Sequence, residues 1–534
     1  MTKFLKSTGV VLALVLATAC GGSGSTTSQV SNSTAPGTLA LDPPFRIASL
    51  DAATFEAELG ATTTGAQLLQ LTGAPACGVD FYYVKFWTVG GANEATESSG
   101  ALMVPTGGTG CSGPRPILLY AHGTNTNQAL NIADITDPTN TEGALIAATF
   151  AAQGYIVVAP NYAGYDISTL GYHPFLNAAQ QSGEMINMLA AARTALPKTL
   201  TSATSDNGQL FVTGYSEGGH VAMATQRALQ AAGAPPTAAA PMSGPYALEA
   251  FGDAIFFGNV NLGSTVFGPL LTASYQHAYG NIYASPADVY SPTYATGIET
   301  LLPSTTPLAT LFSEGLLPQS AAFNSTTPIV TIPGQPVLSA QLTAALAVPS
   351  DPANPLTPLF AAGFGSPYLI NNDYRVSYAL DAASNPDGAV PTPAAGVPLA
   401  AAAPTQTLRL ALYTNDLRHG AWAPASPTLL CGGDQDPTVF FSVNTLTMAE
   451  FWSALPAGLV TVLDVNAAPS GPFAAIQTGF IGSQLQLLAF YQTAAGGGLS
   501  LAAAEQKLVL GYHTAVAPFC AVAARSFFSQ FAGG

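Results

Sequence analysis

Ser216 lies in Gly214-Tyr215-Ser216-Glu217-Gly218, after the β-prone run Gln209-Leu210-Phe211-Val212-Thr213 and before the helix-prone run Gly219 to Thr225. A serine on a sharp turn between a buried strand and a helix presents its hydroxyl as a nucleophile for acyl transfer. Spacing alone decides little. A chain with 53 Gly in 534 residues carries roughly 0.4 accidental matches to G-x-S-x-G, and an ordinary Gly-rich turn has the same spelling. The context is more demanding, because Gly214, Gly218 and Gly219 fall where a strand and a helix must approach closely enough to strain the turn.

A serine hydroxyl is a poor nucleophile at neutral pH, so it needs a base for its proton and a third group to orient that base. The chain has six histidines. His122 ends an apolar run, His173 precedes Pro174, and His220 falls on the first turn after Ser216. His277 and His419 lie in a Pro-rich middle region, and His513 follows Leu508-Val509-Leu510-Gly511-Tyr512. Four residues along a helix turn His220 away from the exposed hydroxyl, so packing behind the turn is its expected role. Carboxylates come from Cys431-Gly432-Gly433-Asp434-Gln435-Asp436-Pro437-Thr438-Val439, where Asp434 and Asp436 each follow a buried strand. Either one alone could simply form an Asx turn.

The elements that must carry these residues read as alternating strands and helices. Pro116 to Ala121, Gly154 to Pro160 and Gln209 to Thr213 are apolar on both faces, as buried parallel strands require. Helical stretches, Glu142 to Gln153 and Asn177 to Ala195, separate them. Strand-like Phe81 to Thr88 and Gly100 to Pro105 come earlier, and Thr237 to Met242, Thr428 to Cys431 and Leu459 to Val465 come later. This is the pattern of an α/β, mostly parallel, doubly wound sheet. From about Gly244 to Ala421 the alternation breaks into Pro-, Ala- and Leu-rich sequence with short helical segments, which reads as a large, mainly helical inserted cap. The division expected is residues 44–243 and 422–534 for the core, 244–421 for the cap, 20–43 for a Gly/Ser/Thr tether and 1–19 for an export signal. Ala517 to Phe531 is expected as the closing helix, with His513 on the loop before it.

Charge excludes some functions. The net charge is −16, from 29 acidic and 13 basic residues, so no basic stripe exists to neutralise a nucleic acid. No Lys or Arg occurs from Ala228 to Asp373, which removes cationic clamps for polyanions from the cap. No H-E-x-x-H, EF-hand or phosphate-binding Gly-rich pattern calls for a metal or cofactor. Lys3 and Lys6 precede an apolar stretch, Val10 to Ala19, too short to span a bilayer. Leu16-Ala17-Thr18-Ala19-Cys20 resembles a bacterial lipobox, which implies acylation of Cys20 and, with Gly21 following, an outer-membrane or surface location. Cys77, Cys111, Cys431 and Cys520 remain, an even number suited to two disulfides in an exported chain.

The motifs together resemble the α/β-hydrolase superfamily over most of the region from Pro114 to Phe531. The resemblance rests on His122-Gly123-Thr124, Ala159-Pro160-Asn161-Tyr162-Ala163-Gly164-Tyr165, Gly214 to Gly219, Gly433-x-x-Asp436-x-x-Val439 and the late His513. The Gly-Tyr-Ser-Glu-Gly-Gly turn, the long insert and Pro518-Phe519-Cys520 are most similar to the secretory lipase group. In that fold the triad runs Ser, acid, His along the chain, which implies Ser216, Asp436 and His513, with Asp434 in reserve. It also implies oxyanion donors at the backbone N–H groups of Glu217 and Thr124, with His122 shaping the loop. Asn161 stands where the family has Asp, and about 48 residues separate the last strand from His513. Of the three cysteine pairings, Cys77 with Cys111 and Cys431 with Cys520 is preferred, because the second pair ties together the two loops that the triad joins. The activity implied is hydrolysis of hydrophobic carboxylic esters, small or polymeric. A serine peptidase or amidase on the same fold and a catalytically silent surface-binding lipoprotein are the alternatives.

Overall fold

A computed structural model describes residues 29–30, 33–201, 203–387, 403–420 and 422–532. The expected export signal, Cys20 and residues 21–28 and 31–32 of the tether lie outside the described residues, as do 388–402 of the cap. Nine strands form one sheet: β1 (Phe45–Leu50), β2 (Gly78–Val89), β3 (Ala95–Thr106), β4 (Gly113–Ala121), β5 (Ile156–Pro160), β6 (Thr204–Tyr215), β7 (Ala238–Met242), β8 (Thr428–Gly432) and β9 (Val460–Asp464). Their spatial order is β9-β8-β7-β6-β4-β5-β3-β2-β1. Strands β4 to β9 are mutually parallel, and β1 to β3 form an antiparallel edge joined to β5. This is the α/β-hydrolase fold.

Alternation along the central strands explains why the sequence is apolar on every residue there. Leu118, Tyr120 and Phe211 face one layer with Phe55, Ile146, Val516 and Phe527. Ile117, Leu119, Leu210 and Val212 face the other, with Met185, Met188, Val221 and Ala222. The first layer contains α1 (Ala52–Gly60), α2 (Thr63–Thr72) and α3 (Thr141–Thr149); the second contains α4 (Ala178–Ala195) and α5 (Glu217–Ala231). Both faces are covered, so each strand behaves as core throughout.

Between Met242 and Thr428 the chain leaves the sheet and builds the inserted cap. Its longer helices include α6 (Leu248–Phe256), α7 (Ser264–Tyr279), α8 (Asn372–Ser384) and α9 (Thr407–Asn415). They enclose a separate apolar cluster around Tyr275, Tyr290, Phe323, Tyr378 and Leu412. The first bases after the base-free stretch turn inward. Arg409 binds Asp253 through two nitrogens at 2.9 and 2.7 Å and Asp381 at 2.9 Å, and Arg418 pairs with Asp416 and Asp387. Arg375 donates to the carbonyls of Phe256 and Leu346 at the ends of two helices.

The C-terminal region differs from expectation. The 48-residue spacing is occupied by a helical hairpin, α10 (Ala474–Gln492) and α11 (Leu501–Ser529), and His513 sits within α11 rather than on a loop before a shorter helix. Gly511 and Pro518 have weak helix propensity, yet the helix continues through both. Val516, Phe519, Ala523 and Phe527 on one side of it are packed into the sheet's core, and that burial overrides the weak local propensity.

Two disulfides are present, Cys77–Cys111 and Cys431–Cys520, which fit an oxidising compartment. The second joins the end of β8 to α11 and closes a separation of 89 residues. Replacing both cysteines by alanine should lower unfolding stability by about 2–4 kcal/mol, read as a reduced denaturant midpoint against wild type; an unchanged midpoint would show that the link contributes nothing.

Candidate active site

The turn after β6 forces Ser216 to φ 59°, ψ −122°, a region that costs a residue with a side chain about 1–3 kcal/mol. Its surroundings hold it there. Ser216 N–H donates to the Met242 carbonyl at 3.0 Å, and the Ser216 carbonyl accepts from Gly219 N–H at 2.8 Å. A Cβ on Gly218 would stand 2.0 Å from the Ala121 carbonyl oxygen, one on Gly214 2.3 Å from that of Gly218, and one on Gly219 2.4 Å from that of Met242. The three glycines allow β4, β6, β7 and α5 to converge on the serine.

Asp436 and His513 meet although 77 residues separate them. Asp436 Oδ2 lies 2.6 Å from His513 Nδ1, while Oδ1 accepts the Thr438 and Val439 N–H groups at 2.9 and 3.0 Å. A carboxylate at Nδ1 fixes the proton there and leaves the lone pair on Nε2. That nitrogen is buried and has no hydrogen-bond partner among the described residues. The ring centroid of Tyr215, the residue before the serine, is 4.9 Å from the imidazole centroid, so His513 stands at the elbow. Asp434 points elsewhere, its Oδ1 accepting from Asn466 Nδ2 at 2.8 Å.

Tyr215 was not among the residues that the sequence marked. Its hydroxyl donates to the His513 carbonyl, and burial, then the charge of Asp436, pushes its phenol well above the usual range. It therefore stays a donor and clamps α11 against the elbow.

Ser216, Glu217 and Thr124 line one cleft of about 980 Å³, part of it open to solvent. Its other walls are almost wholly apolar: Leu248, Phe251, Ile255 and Phe256 of α6, Phe267 and Leu271 of α7, and Leu408 and Leu412 of α9. Thr438 and Val439 bring the Asp436 loop to the same wall. The Glu217 N–H is the first of α5 and has no acceptor within the helix. Thr124 reaches the cleft because Gly123 packs on the elbow, where an added Cβ would lie 3.3 Å from the Tyr215 carbonyl oxygen.

Beneath the elbow is a buried polar layer that periodicity could not reveal. Glu142 accepts Gly123 N–H at 2.9 Å and the Tyr120 hydroxyl at 2.7 Å. The two nitrogens of His122 face the Gly123 and Asn161 carbonyls at 2.7 and 3.1 Å, and its ring stacks on Tyr162 at 4.1 Å. The Glu217 side chain meets His173 Nε2 at 2.6 Å and Gln181 Nε2 at 2.6 Å. Burial pushes the Glu217 carboxyl up, but the charge and hydrogen bond of His173 outweigh it, and the net direction is down. His220, on the first turn of α5, faces the Asn415 carbonyl at 3.0 Å, and burial lowers it to about 4, which keeps it neutral. His277 of the cap stacks on Tyr172 of the core.

No protein-family model and no curated protein matches the chain. Among solved structures, the rice cell wall degrading esterase LipA from Xanthomonas oryzae is similar at 26% identity and a TM-score of 0.58, over 80% of this chain and 91% of that one. A point mutant of that esterase aligns over 85% of this chain and 99% of its own, at 26% identity and a TM-score of 0.60. A hydrolase-like structure from Legionella pneumophila shares the fold at 17% identity and a TM-score of 0.57, covering 91% of this chain and 96% of that one. The protein is an α/β-hydrolase.

The two acids separate cleanly by geometry. Asp436→Asn should lower kcat by about 10⁴-fold, because the amide favours the wrong imidazole tautomer, whereas Asp434→Asn should stay within about threefold of wild type. Steady-state kinetics on a chromogenic ester checks both; a large loss in Asp434→Asn with little in Asp436→Asn would reverse the assignment.

Proposed function

We propose that the protein is a serine carboxylic ester hydrolase with Ser216 as nucleophile, His513 as base and Asp436 as the orienting acid. The observation that carries this reading is the 2.6 Å bond from Asp436 Oδ2 to His513 Nδ1 beside a serine at φ 59°. Ser216 Oγ attacks the ester carbonyl as its proton passes to His513 Nε2. The tetrahedral oxyanion takes hydrogen bonds from the Glu217 and Thr124 N–H groups, each worth roughly 100- to 1,000-fold in rate. The C–O bond then breaks, His513 returns the proton to the departing alcohol, and an acyl-enzyme remains. Water attacks that carbonyl with His513 again as base, releasing the acid and Ser216.

The cleft supports an apolar acyl group. Its walls carry no Lys or Arg, and the nearest cap arginines are engaged with buried carboxylates or carbonyls, so a peptidase has no cation with which to hold a peptide's C-terminal carboxylate. The similarity to an esterase favours the ester reading further. From the sequence, we propose export and anchorage through acylated Cys20, with the substrate in the extracellular or surface environment.

A p-nitrophenyl ester series from acetate to laurate tests the reading. Burial of about 0.8 kcal/mol per methylene corresponds to up to about fourfold in kcat/KM per added CH2 until the cleft is filled. Ser216→Ala should abolish turnover across the series. Peptide hydrolysis with all esters untouched would refute the proposal.

A further inference from the structure

The chain passes from Thr124, in the wall of the apolar cleft, to Asn125, in the wall of a second recess of about 820 Å³ that is also partly open to solvent. Consecutive residues of the oxyanion loop thus line the two recesses. They differ in chemistry. Asparagines, threonines and Ser304 dominate the second, and among the described residues no Lys or Arg lines it. Resting on the ester hydrolase reading above, we infer that this recess binds an uncharged polyhydroxy alcohol as the leaving group of the ester, while the acyl chain occupies the apolar cleft.

The recess is rigidly constructed. Ser304 of the cap lies beside the loop through Ser304 N–H to the Thr126 carbonyl at 2.8 Å and Gln128 N–H to the Ser304 carbonyl at 3.0 Å. Asn140, itself buried, donates through Nδ2 to the carbonyls of Asn131, Ile132 and Asp134. Asn161 accepts Ile132 N–H at 2.8 Å, and the Tyr165 hydroxyl donates to the Asn125 carbonyl at 2.5 Å. The Asn161 that replaces the family's expected Asp thus helps to fix this loop.

The orientation of the polar groups is fixed as well. The Oδ1 atoms of Asn125, Asn127 and Asn131 accept backbone N–H groups two residues on, at 2.7, 3.1 and 3.1 Å. Each amide oxygen is thereby committed to its own turn, and the Nδ2 donors remain for a ligand. Asp137, the one ionisable side chain in the wall, has Oδ1 occupied by Thr139 N–H and Oγ1 at 2.8 and 2.7 Å. These hydrogen bonds from Thr139 hold its carboxyl below the usual range, so it stays an anion and disfavours anionic ligands. Amide donors, threonine hydroxyls and a carboxylate acceptor together match the hydroxyl groups of a neutral polyol. Glycerol and sugar head groups share that chemistry.

The test compares lauroyl esters that differ only in the alcohol: sucrose monolaurate, 1-monolauroylglycerol, methyl laurate and p-nitrophenyl laurate. Wild type should hydrolyse at least one of the two polyol esters with kcat/KM about tenfold or more above methyl laurate, and the preferred polyol distinguishes a sugar from a glycerol head group. Asn127→Asp keeps the turn acceptor but removes the donors, and Thr306→Val removes a hydroxyl. Each should lower kcat/KM for the preferred polyol ester about fivefold while p-nitrophenyl laurate changes less than twofold. Equal rates on polyol and methyl esters, or equal losses on all four substrates in both variants, would overturn the inference while leaving the ester hydrolase reading intact. If p-nitrophenyl laurate is not hydrolysed, the earlier reading has failed. Calorimetric binding of sucrose monolaurate and monolauroylglycerol to Ser216→Ala, weakened about fivefold by adding Asn127→Asp, then decides the recess separately, and no weakening rejects it.

Discussion

Backbone-to-backbone contact at the elbow is the constraint on which the site depends. Where Gly218 approaches Ala121 and Gly219 approaches Met242, no side chain fits, so α5 starts directly over the ends of β4 and β7. The strained serine, the loop after β4 that carries Thr124 and the chain's exit into the cap after β7 are thereby brought to one point. Ser243 N–H extends the same convergence to β8 through the Cys431 carbonyl at 2.8 Å. Cys431 in turn is linked to Cys520 on the helix that carries His513. One close approach thus locates the ends of four neighbouring strands, and a covalent link adds to the packing and the Tyr215 hydrogen bond that hold α11 against them.

Around that point the molecule separates polar and apolar matter by depth. Below the serine lie Glu142, Glu217, His122 and His173, each paired with a loop carbonyl, N–H or opposite side chain, so that the turns bearing the reacting groups cannot shift independently. Above it the cap offers hydrocarbon. The cap's Arg409 and Arg418 are withdrawn into buried ion pairs, which lowers the cost of burying them, and among the described residues no Lys or Arg lines the cleft. An ester, neutral before and polar during reaction, suits such a site because stabilisation is concentrated where the oxyanion develops.

The central strands were legible because both of their faces are buried: an apolar run such as Pro116 to Ala121 leaves little alternative. The first strand, Phe45–Leu50, was missed. It is a half-exposed edge strand containing Arg46 and Ser49, and its periodicity is faint. The last helix begins well before the expected Ala517, because Tyr512 and Val516 are also packed into the sheet's core, and that burial overrides the weak helix propensity of Gly511. Motif and chain order single out Ser216, Asp436 and His513, and the structure brings Asp436 against His513. Tyr215 against His513, and His173 against Glu217, could not be read in this way, because these contacts span 298 and 44 residues and leave no trace in spacing.

The central claim is that Ser216 reacts because His513, oriented by Asp436, removes its proton. Covalent labelling with a fluorophosphonate, followed by peptide mass mapping and a measured labelling rate, tests this most directly. The account predicts one adduct, on the peptide containing Ser216, formed at least about a thousandfold more slowly in His513→Ala. An adduct on a different residue, or an undiminished rate in His513→Ala, would contradict it.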